Sequence, residues 1–138
     1  MESKGSCYWD AWKRYIVDHL LKNGFINKED LELFRIVKTV DEAIKFIEDF
    51  YRVYHSIRYV SGLTVIRLNK GISNKTLALI NKEFKDILIS GEIRRSPPTD
   101  KEIQEGEYIS LPRIAMNFNM RDYGKLCEMI HLINRDQS

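Results

Sequence analysis

The strongest β-strand pattern of the chain is Leu63-Thr-Val-Ile-Arg-Leu68, a run rich in β-branched and apolar residues. A helix pattern follows at about residues 74–89, and two further strand patterns lie at Glu92–Arg95 and Arg113–Phe118. Apolar residues at helical spacing then predict a last helix over residues 121–134. The resulting order, βαββα, is close to that of a ferredoxin-like unit without its last strand. We therefore expect an α+β fold, in which a small sheet carries its helices on one face.

The chain before this module is expected to be mainly helical. Apolar and aromatic residues recur at helical spacing over residues 8–23, and Thr39-Val-Asp-Glu42 has the spacing of a capping box at the start of a long helix. This long helix should fray near His55–Ser56. The next run, Ile57–Val60, stands before Ser61-Gly62, where the sequence fits either a hairpin or a helix end followed by one strand.

The length of 138 residues suits one ordinary domain or two very small ones. We expect a disordered start or an expression remnant at residues 1–6, because this stretch is small, polar and contains glycine. The helical segment then covers residues 7–60, and the βαββα module covers residues 61–138.

The charge balance argues against a strongly basic or membrane-bound class of protein. The chain has 22 Lys+Arg and 20 Asp+Glu, and a net charge of +2 is too weak to indicate nucleic acid or an anionic membrane as a partner. Its apolar runs are too short to span a bilayer, and its first residues have no hydrophobic secretion signal. We therefore expect a cytoplasmic protein, in which Cys7 and Cys127 are thiols.

Motifs of complete active sites are absent from the sequence. It has no Gly-x-Gly-x-x-Gly motif, no Walker A loop and no Gly-Gly pair, so it has no obvious phosphate cradle. It also lacks His-Glu-x-x-His and Gly-x-Ser-x-Gly, and its two cysteines and three scattered histidines form no metal-ligand pattern. We therefore assign no catalytic residue, no metal and no cofactor, although the sequence does not decide whether the chain is an enzyme.

Two groups of basic residues are candidate contacts for an anion. The first is His55 with Arg58, in the polar and aromatic run Tyr51–Tyr59. An arginine presents a fork of donors that matches phosphate. The same residue types also suit the last turn of a helix, because cations favour the negative end of the helix dipole.

The second group of basic residues is spread over the last two strand patterns and the turn after them, and consists of Arg94, Arg95, Arg113 and Arg121. If the two strands pair, some of these arginines share a face of the sheet and could bind an anionic ligand. They could equally form ion pairs with the acidic stretch Asp100–Glu107, which lies on an expected loop between the strands.

The first predicted helix carries an unusual number of aromatic residues on one side. This aromatic stripe consists of Tyr8, Trp9, Trp12 and Tyr15. It fits the core of a small domain, or a face that docks on a partner or on a second copy of the chain. We take the stripe as the candidate interface.

The first half of the chain carries five short motifs at a consistent spacing: Tyr8-Trp-Asp10, Gly24-Phe-Ile26, Asp30-Leu31, Val40-Asp-Glu-Ala43 and Ile47. They resemble the C-terminal end of the Lonely-guy family, Rossmann-fold proteins that are often labelled possible lysine decarboxylases. The following run resembles a subgroup with a further C-terminal extension, through Phe50-Tyr51, Tyr54-His-Ser56 and Arg58-Tyr-Val60. The resemblance continues over Leu63–Asn134, including Leu111-Pro-Arg113 and Phe118-Asn119.

Members of that family characterised as enzymes are nucleoside-5′-monophosphate phosphoribohydrolases. The family's phosphate-binding and catalytic motif, Pro-Gly-Gly-x-Gly-Thr-x-x-Glu, is absent here, and so are the Rossmann strands. The resemblance therefore implies a non-catalytic accessory or assembly module, whose partner is a Rossmann-type domain or a second copy of the chain. The alternative is a dimeric module that binds a nucleotide or another small anionic metabolite.

Overall fold

Four strands form one antiparallel sheet in the computed structural model, which describes residues 7–136. The predicted disordered start at residues 1–6 lies outside the described residues. The strands are β1 (Tyr54–Val60), β2 (Leu63–Leu68), β3 (Leu88–Arg95) and β4 (Arg113–Phe118). Their order in the sheet is β1-β2-β4-β3, and helices surround it, which confirms the predicted α+β fold.

A tight turn joins β1 to β2 and settles the alternative that the sequence left open. Ser61 and Gly62 have φ values of 50° and 82°, so both central residues are left-handed, as a type I′ hairpin turn requires. The long helix therefore ends before His55–Ser56, where the sequence predicted fraying. Asn134 Oδ1 accepts hydrogen bonds from the N–H groups of Val53 and Tyr54, which are satisfied there outside any helix. The proposed boundary between residues 60 and 61 falls inside this turn.

The helical elements are α1 (Tyr8–Tyr15), which continues as a π-helical turn (Ile16–Leu21), a 3-10 turn (Lys28–Leu33), α2 (Val40–Phe50), α3 (Asn74–Glu83), a second 3-10 turn (Lys85–Ile87), α4 (Asp100–Glu105) and α5 (Tyr123–Ile133). Thr39 caps α2 as predicted, because its Oγ1 accepts from the Glu42 N–H at 3.1 Å. The sequence predicted a loop where α4 lies. Among residues 7–136, no helix is long and apolar enough to cross a membrane.

The sheet has the strand arrangement of a ferredoxin-like unit with one change of chain order. Strands β2 and β3 are joined through α3 and are separated in the sheet by β4, which pairs antiparallel with both. In a ferredoxin-like unit the missing last strand would pair at the edge beside β2. Strand β1 occupies that edge, so the sheet is completed by a strand that precedes the βαββα module.

The core lies between one face of the sheet and helices α3 and α5. The main side chains of this core are Ile66, Leu68, Ile114, Met116 and Phe118 from the sheet, with Ile80, Phe84, Leu126, Met129 and Ile133 from the helices. Side chains alternate between faces along a strand, so Arg67 and Arg113 point to the opposite face. The two predicted helices of the module, α3 and α5, share the core face, whereas α4, which the sequence did not predict, packs on the opposite face through Glu102.

The N-terminal segment reaches this core through a close approach of two backbones. The 3-10 turn Lys28–Leu33 lies against α5 at Gly124, where an added Cβ would be 2.4 Å from the carbonyl carbon of Glu29. Three residues further along α5, Cys127 Sγ donates to the carbonyl oxygen of Glu32 at 3.2 Å. Cys127 and Cys7 are both free thiols, as expected. A glycine at position 124 is therefore required for the segment to dock.

We expect Gly124→Ala to loosen the N-terminal segment from α5, because the new methyl group would overlap the backbone of Glu29. Both tryptophans of the chain, Trp9 and Trp12, lie in α1, so near-ultraviolet circular dichroism and tryptophan fluorescence report on this segment. Gly71→Ala is the matched control, since a Cβ at Gly71 meets nothing within 4 Å. Unchanged tryptophan signals and melting temperature in Gly124→Ala would contradict the proposed close packing.

Candidate functional site

Two arginines and one glutamate form a buried ion cluster between the sheet and α4. Arg67 Nε lies 2.8 Å from Glu102 Oε1, and Arg113 Nη1 lies 2.7 Å from Glu102 Oε2. The side chains of all three are at most 6% exposed. Arg67 and Arg113 are register partners on the neighbouring strands β2 and β4, which places both guanidinium groups over the same point of the sheet. The cluster carries a formal charge of +1.

The start of α4 positions Glu102 for this contact. Thr99 and Glu102 form a reciprocal capping box, in which the Thr99 N–H and hydroxyl both donate to Glu102 Oε2 at 3.0 Å. Burial by itself would raise the pKa of Glu102. The Thr99 N–H, the Arg67 and Thr99 side chains and the charge of Arg113 together outweigh burial and lower this pKa to about 2. Glu102 is therefore a carboxylate that anchors α4, and its low pKa does not suit a general acid.

Arg113 also holds the loop that follows α4. Its Nη2 donates to the carbonyl oxygens of Tyr108, Ile109 and Leu111, at 2.7, 3.2 and 3.1 Å. These contacts and the ion pair to Glu102 hold Arg113, which the sequence proposed as an anion contact, against acceptors within the chain. Arg113 thus forms the kind of ion pair with the acidic stretch Asp100–Glu107 that the sequence offered as the alternative for its group of arginines.

Two other candidate residues lie on the same face of the sheet as Arg113. Arg58 of β1 forms an ion pair with Glu105 of α4, which is a second contact with the acidic stretch. His55 Nδ1 lies 2.8 Å from Ser56 Oγ, and the His55 ring packs on Tyr108 with 4.6 Å between centroids. This is a local contact between neighbours in the chain, and no carboxylate within residues 7–136 forms an ion pair or hydrogen bond with the His55 ring to orient it for catalysis.

The remaining three arginines are not brought together. Arg95 lies towards α3, where it donates to Asn74 Oδ1 at 2.8 Å and to the carbonyl oxygen of Ile72 at 2.7 Å. Arg94 lies opposite Ala115 and lines a shallow groove on the face that carries Arg113. Arg121 follows the far end of β4, and the length of that strand separates it from Arg113. The six candidate residues therefore do not form one anion site.

The sequence reasoning missed Arg67, Glu102 and Tyr108, which complete the cluster. The guanidinium carbon of Arg67 lies 5.3 Å from the centre of the Tyr108 ring, and Arg67 Nη2 is buried without a hydrogen-bond partner among the described residues. The ring face of Tyr108 thus covers the arginine by a cation–π contact. The sequence feature that could have indicated this cluster is Arg67 itself, which lies inside the most apolar strand pattern. A buried arginine needs a charged partner, so its position implies a nearby carboxylate.

The aromatic stripe of α1 is partly covered by contacts within the chain. Trp9 packs edge-to-face on Tyr8 and on Trp12, and Trp12 packs in the same way on Phe34, with ring centroids 5.0, 5.7 and 4.8 Å apart. Tyr8 and Tyr15 remain 63% and 55% exposed. Trp12 thus connects α1 to the loop after the 3-10 turn, and the two tyrosines are the exposed part of the predicted interface.

A second apolar surface lies on α2. Its four residues, which we call the α2 ridge, are Val40, Ile44, Ile47 and Tyr51. They are between 49% and 56% exposed, and their spacing of four, three and four residues places them along one side of the helix. No residue of α2 is fully buried, although Phe50 packs against the core from the other side of the helix. The α2 ridge is therefore an exposed hydrophobic surface.

Cys127, His131 and Glu32 lie close together but do not form a catalytic relay. His131 Nε2 is 3.7 Å from Cys127 Sγ and 3.9 Å from Glu32 Oε2, so the same ring nitrogen faces both groups. A relay needs the base and its orienting partner on different nitrogens. Burial raises the pKa of the Cys127 thiol, and the charges of Glu32 and Glu128 raise it further, so the reactive thiolate is disfavoured. Residues 7–136 contain no group of three or more side chains that could hold a metal ion.

Comparisons with known proteins do not assign a function to this chain, so the proposals below rest on the contacts and exposed surfaces described above. A scan against protein-family models and searches of curated proteins and solved structures found no match for this chain.

We expect Glu102→Gln to destabilise the fold by about 3–5 kcal/mol, because it leaves two buried guanidinium groups without a carboxylate. Urea unfolding measures this loss. Glu105→Gln is the matched control, since it removes the partner of the more exposed Arg58, and it should cost much less stability. Equal losses for the two variants would show that the buried cluster does not anchor α4.

Stability should also fall in acid because of Glu102. The pKa of this group is about 2 in the folded chain and 4.5 for an ordinary glutamate, so the unfolded chain binds the proton more readily. The contribution of Glu102 is present above pH 4.5 and should be lost as the pH falls towards 2. Urea midpoints measured across this range should show a shallower decline for Glu102→Gln than for the unchanged chain, and parallel curves would contradict this prediction.

Proposed function

We propose that this chain is a non-catalytic accessory module that packs on a Rossmann-type nucleotide-binding domain. The observation that carries the proposal is the α2 ridge, a row of four half-exposed hydrophobic residues on a helix that buries none of its residues fully. Exposed hydrophobic residues scattered singly are normal, whereas a contiguous row of them marks an interaction surface.

The geometry of the ridge fits a helical partner surface. Hydrophobic residues that alternate four and three positions apart are the pattern of a helix that packs lengthwise against another helix. A Rossmann-type domain covers both faces of its parallel sheet with helices, so it offers such surfaces. The resemblance of residues 8–60 to the last helices of Lonely-guy proteins, which pack on the nucleotide-binding domain, supports the same partner.

The exposed tyrosines of α1 extend this interface. Tyr8 and Tyr15 are about seven residues apart on α1, and Trp12 connects the helix to Phe34, just after the 3-10 turn. Tyrosine is enriched at protein interfaces because it has an apolar ring and a polar hydroxyl. The docked surface would thus include α1 and α2, which are connected through the 3-10 turn Lys28–Leu33. This turn lies against α5 at Gly124.

The side chains of the chain support binding by packing rather than chemistry. The Cys127–His131–Glu32 group lacks the geometry of a relay, and His55 lies beside its chain neighbour Ser56 and packs on Tyr108. The alternative function, an anion-binding module, needs free arginine donors. Arg58, Arg95 and Arg113 instead contact acceptors within the chain, so no specific observation favours that alternative.

We expect the chain to bind a Lonely-guy-type Rossmann domain that has been truncated of its own C-terminal helices, with saturable heat in a calorimetric titration. Ile44→Ser should weaken this binding by roughly tenfold or more, because burying an isoleucine side chain is worth about 1.5–3 kcal/mol. Ile44 is 49% exposed and is not part of the buried core cluster, so the variant should fold normally.

The matched control is Ile89→Ser, which removes an even more exposed isoleucine from β3, away from α2. It should leave the affinity unchanged. The proposal fails if the unchanged chain gives no saturable heat, or if Ile44→Ser and Ile89→Ser bind equally well.

A further inference from the structure

The two edges of the sheet differ in how they are protected. On the β3 edge, the side-chain amide of Asn81 pairs with the strand backbone: Asn81 Nδ2 donates to the Ile93 carbonyl at 2.7 Å, and the Ile93 N–H donates to Asn81 Oδ1 at 2.8 Å. The register of β3 also shifts twice along its length. Bulges and covering groups of this kind prevent an edge strand from pairing with another chain.

The β1 edge carries no such protection in its second half. Val60 and Leu63 flank the two-residue type I′ turn and form a hydrogen-bonded pair, so Arg58 and Val65 form the next one. The N–H and C=O groups of Ile57 and Tyr59 therefore point away from β2. Among the described residues, these outward N–H and C=O groups have no hydrogen-bond partner.

An apolar groove runs beside this open edge. The β1 groove, of about 450 Å³, lies between β1, α2 and α5 and is lined mainly by Phe46, Ile47, Phe50, Ile57, Tyr59 and Ile130. Tyr123 also lines this groove, and Tyr59 is 48% exposed. An open strand edge beside an apolar groove is the arrangement that proteins use to bind an added β-strand, because the backbone supplies hydrogen bonds and the groove accepts alternate side chains.

We propose that a second copy of this chain adds its own β1 to the β1 edge, so that two four-stranded sheets join into one antiparallel sheet around a two-fold axis. One register pairs every outward N–H and C=O group of Ile57 and Tyr59, and it places Ile57 of each copy opposite Tyr59 of the other. Each such pair exchanges two backbone hydrogen bonds. The second copy's Tyr59 then lies at the β1 groove, next to Ile57.

The sequence of β1 is self-complementary in this register. Ile57 and Tyr59 face the groove, and a cross-strand pair of an aromatic and a β-branched residue is favourable. Arg58 lies on the opposite face and meets its symmetry mate near the axis. Each Arg58 is paired with Glu105 of its own copy, so two ion pairs rather than two bare cations come together. A symmetric contact of this kind closes as a dimer.

The area of exposed surface at the β1 edge determines the dimer affinity that we expect. The exposed halves of Ile47, Tyr51 and Tyr59, with the strand backbone, amount to on the order of 400 Å² per copy. This is about half of the roughly 800 Å² that each partner buries in a standard interface. Interfaces of this size are weak, so we expect a dimer dissociation constant on the order of 10–100 µM.

Sedimentation velocity over a concentration series tests the dimer. The unchanged chain should shift from 16.3 kDa at low concentration to twice that mass at high concentration. Tyr59→Lys should keep the chain monomeric across the series, because a charged side chain at the rim prevents pairing of an edge strand. Tyr59 is half exposed, so folding should survive, and circular dichroism checks this. Ile89→Lys on β3 is the matched control and should dimerise normally.

Hydrogen exchange of single amides distinguishes β1 pairing from other dimers. The amides of Ile57 and Tyr59 should gain protection as the concentration rises, whereas those of Arg58 and Val60, already bonded to β2, should not change. Glu105→Lys should weaken the dimer most at low salt, since it brings unpaired cations to the axis. A monomer at all concentrations, or a dimer that tolerates Tyr59→Lys and leaves these amides unprotected, would overturn the proposal. Ile47 and Tyr51 belong both to the α2 ridge and to the β1 groove, so a second copy and a Rossmann-type domain would compete for them. Ile44 does not line the groove, so Ile44→Ser should leave the dimer intact and tests the Rossmann-type partner separately.

Discussion

The buried carboxylate of Glu102 is the contact on which one whole side of this structure depends. Two arginines on adjacent central strands are directed away from the hydrophobic core, and without an anion they would leave two charges against an apolar sheet. Helix α4 supplies that anion, because its capping box fixes the side chain of Glu102. Arg113 also donates hydrogen bonds to the carbonyl groups of the loop that follows α4. A six-residue helix of little intrinsic stability is thereby held by charge and hydrogen bonds.

The opposite face of the sheet is organised mainly by hydrophobic packing against α3 and α5. The core between the sheet, α3 and α5 is closed, whereas α1 and α2 keep rows of hydrophobic residues half exposed. These helices are held by a few specific contacts, at Gly124, Phe34 and Phe50. The molecule thus combines a self-sufficient sheet with an N-terminal segment whose apolar surface is larger than its own contacts cover.

The sequence predicts the parts of the fold that local patterns determine. Strands β2 and β4 and helices α2, α3 and α5 follow from hydrophobic periodicity, and the capping of α2 follows from the spacing between Thr39 and Glu42. Helix α4 could not be found in this way, because its one buried side chain is a glutamate whose partner Arg67 lies 35 positions earlier. For the same reason β1 was assigned in part to a helix end: the pairing that makes it a strand is a tertiary contact with β2.

The place of β4 has a consequence for how the chain is made. Among the described residues it is the last strand in chain order, yet it lies inside the sheet and is the strand with which β3 pairs. Until ribosomal synthesis has passed Phe118, the nascent chain can form the β1–β2 hairpin and its helices, but β3 has nothing to pair with. Apolar residues such as Ile66 and Ile93, which are buried in the folded sheet, cannot be fully covered before that point. Assembly of this sheet is therefore a late event, and the growing chain is exposed to misassociation and chaperone binding for longer than a sheet built strand by strand.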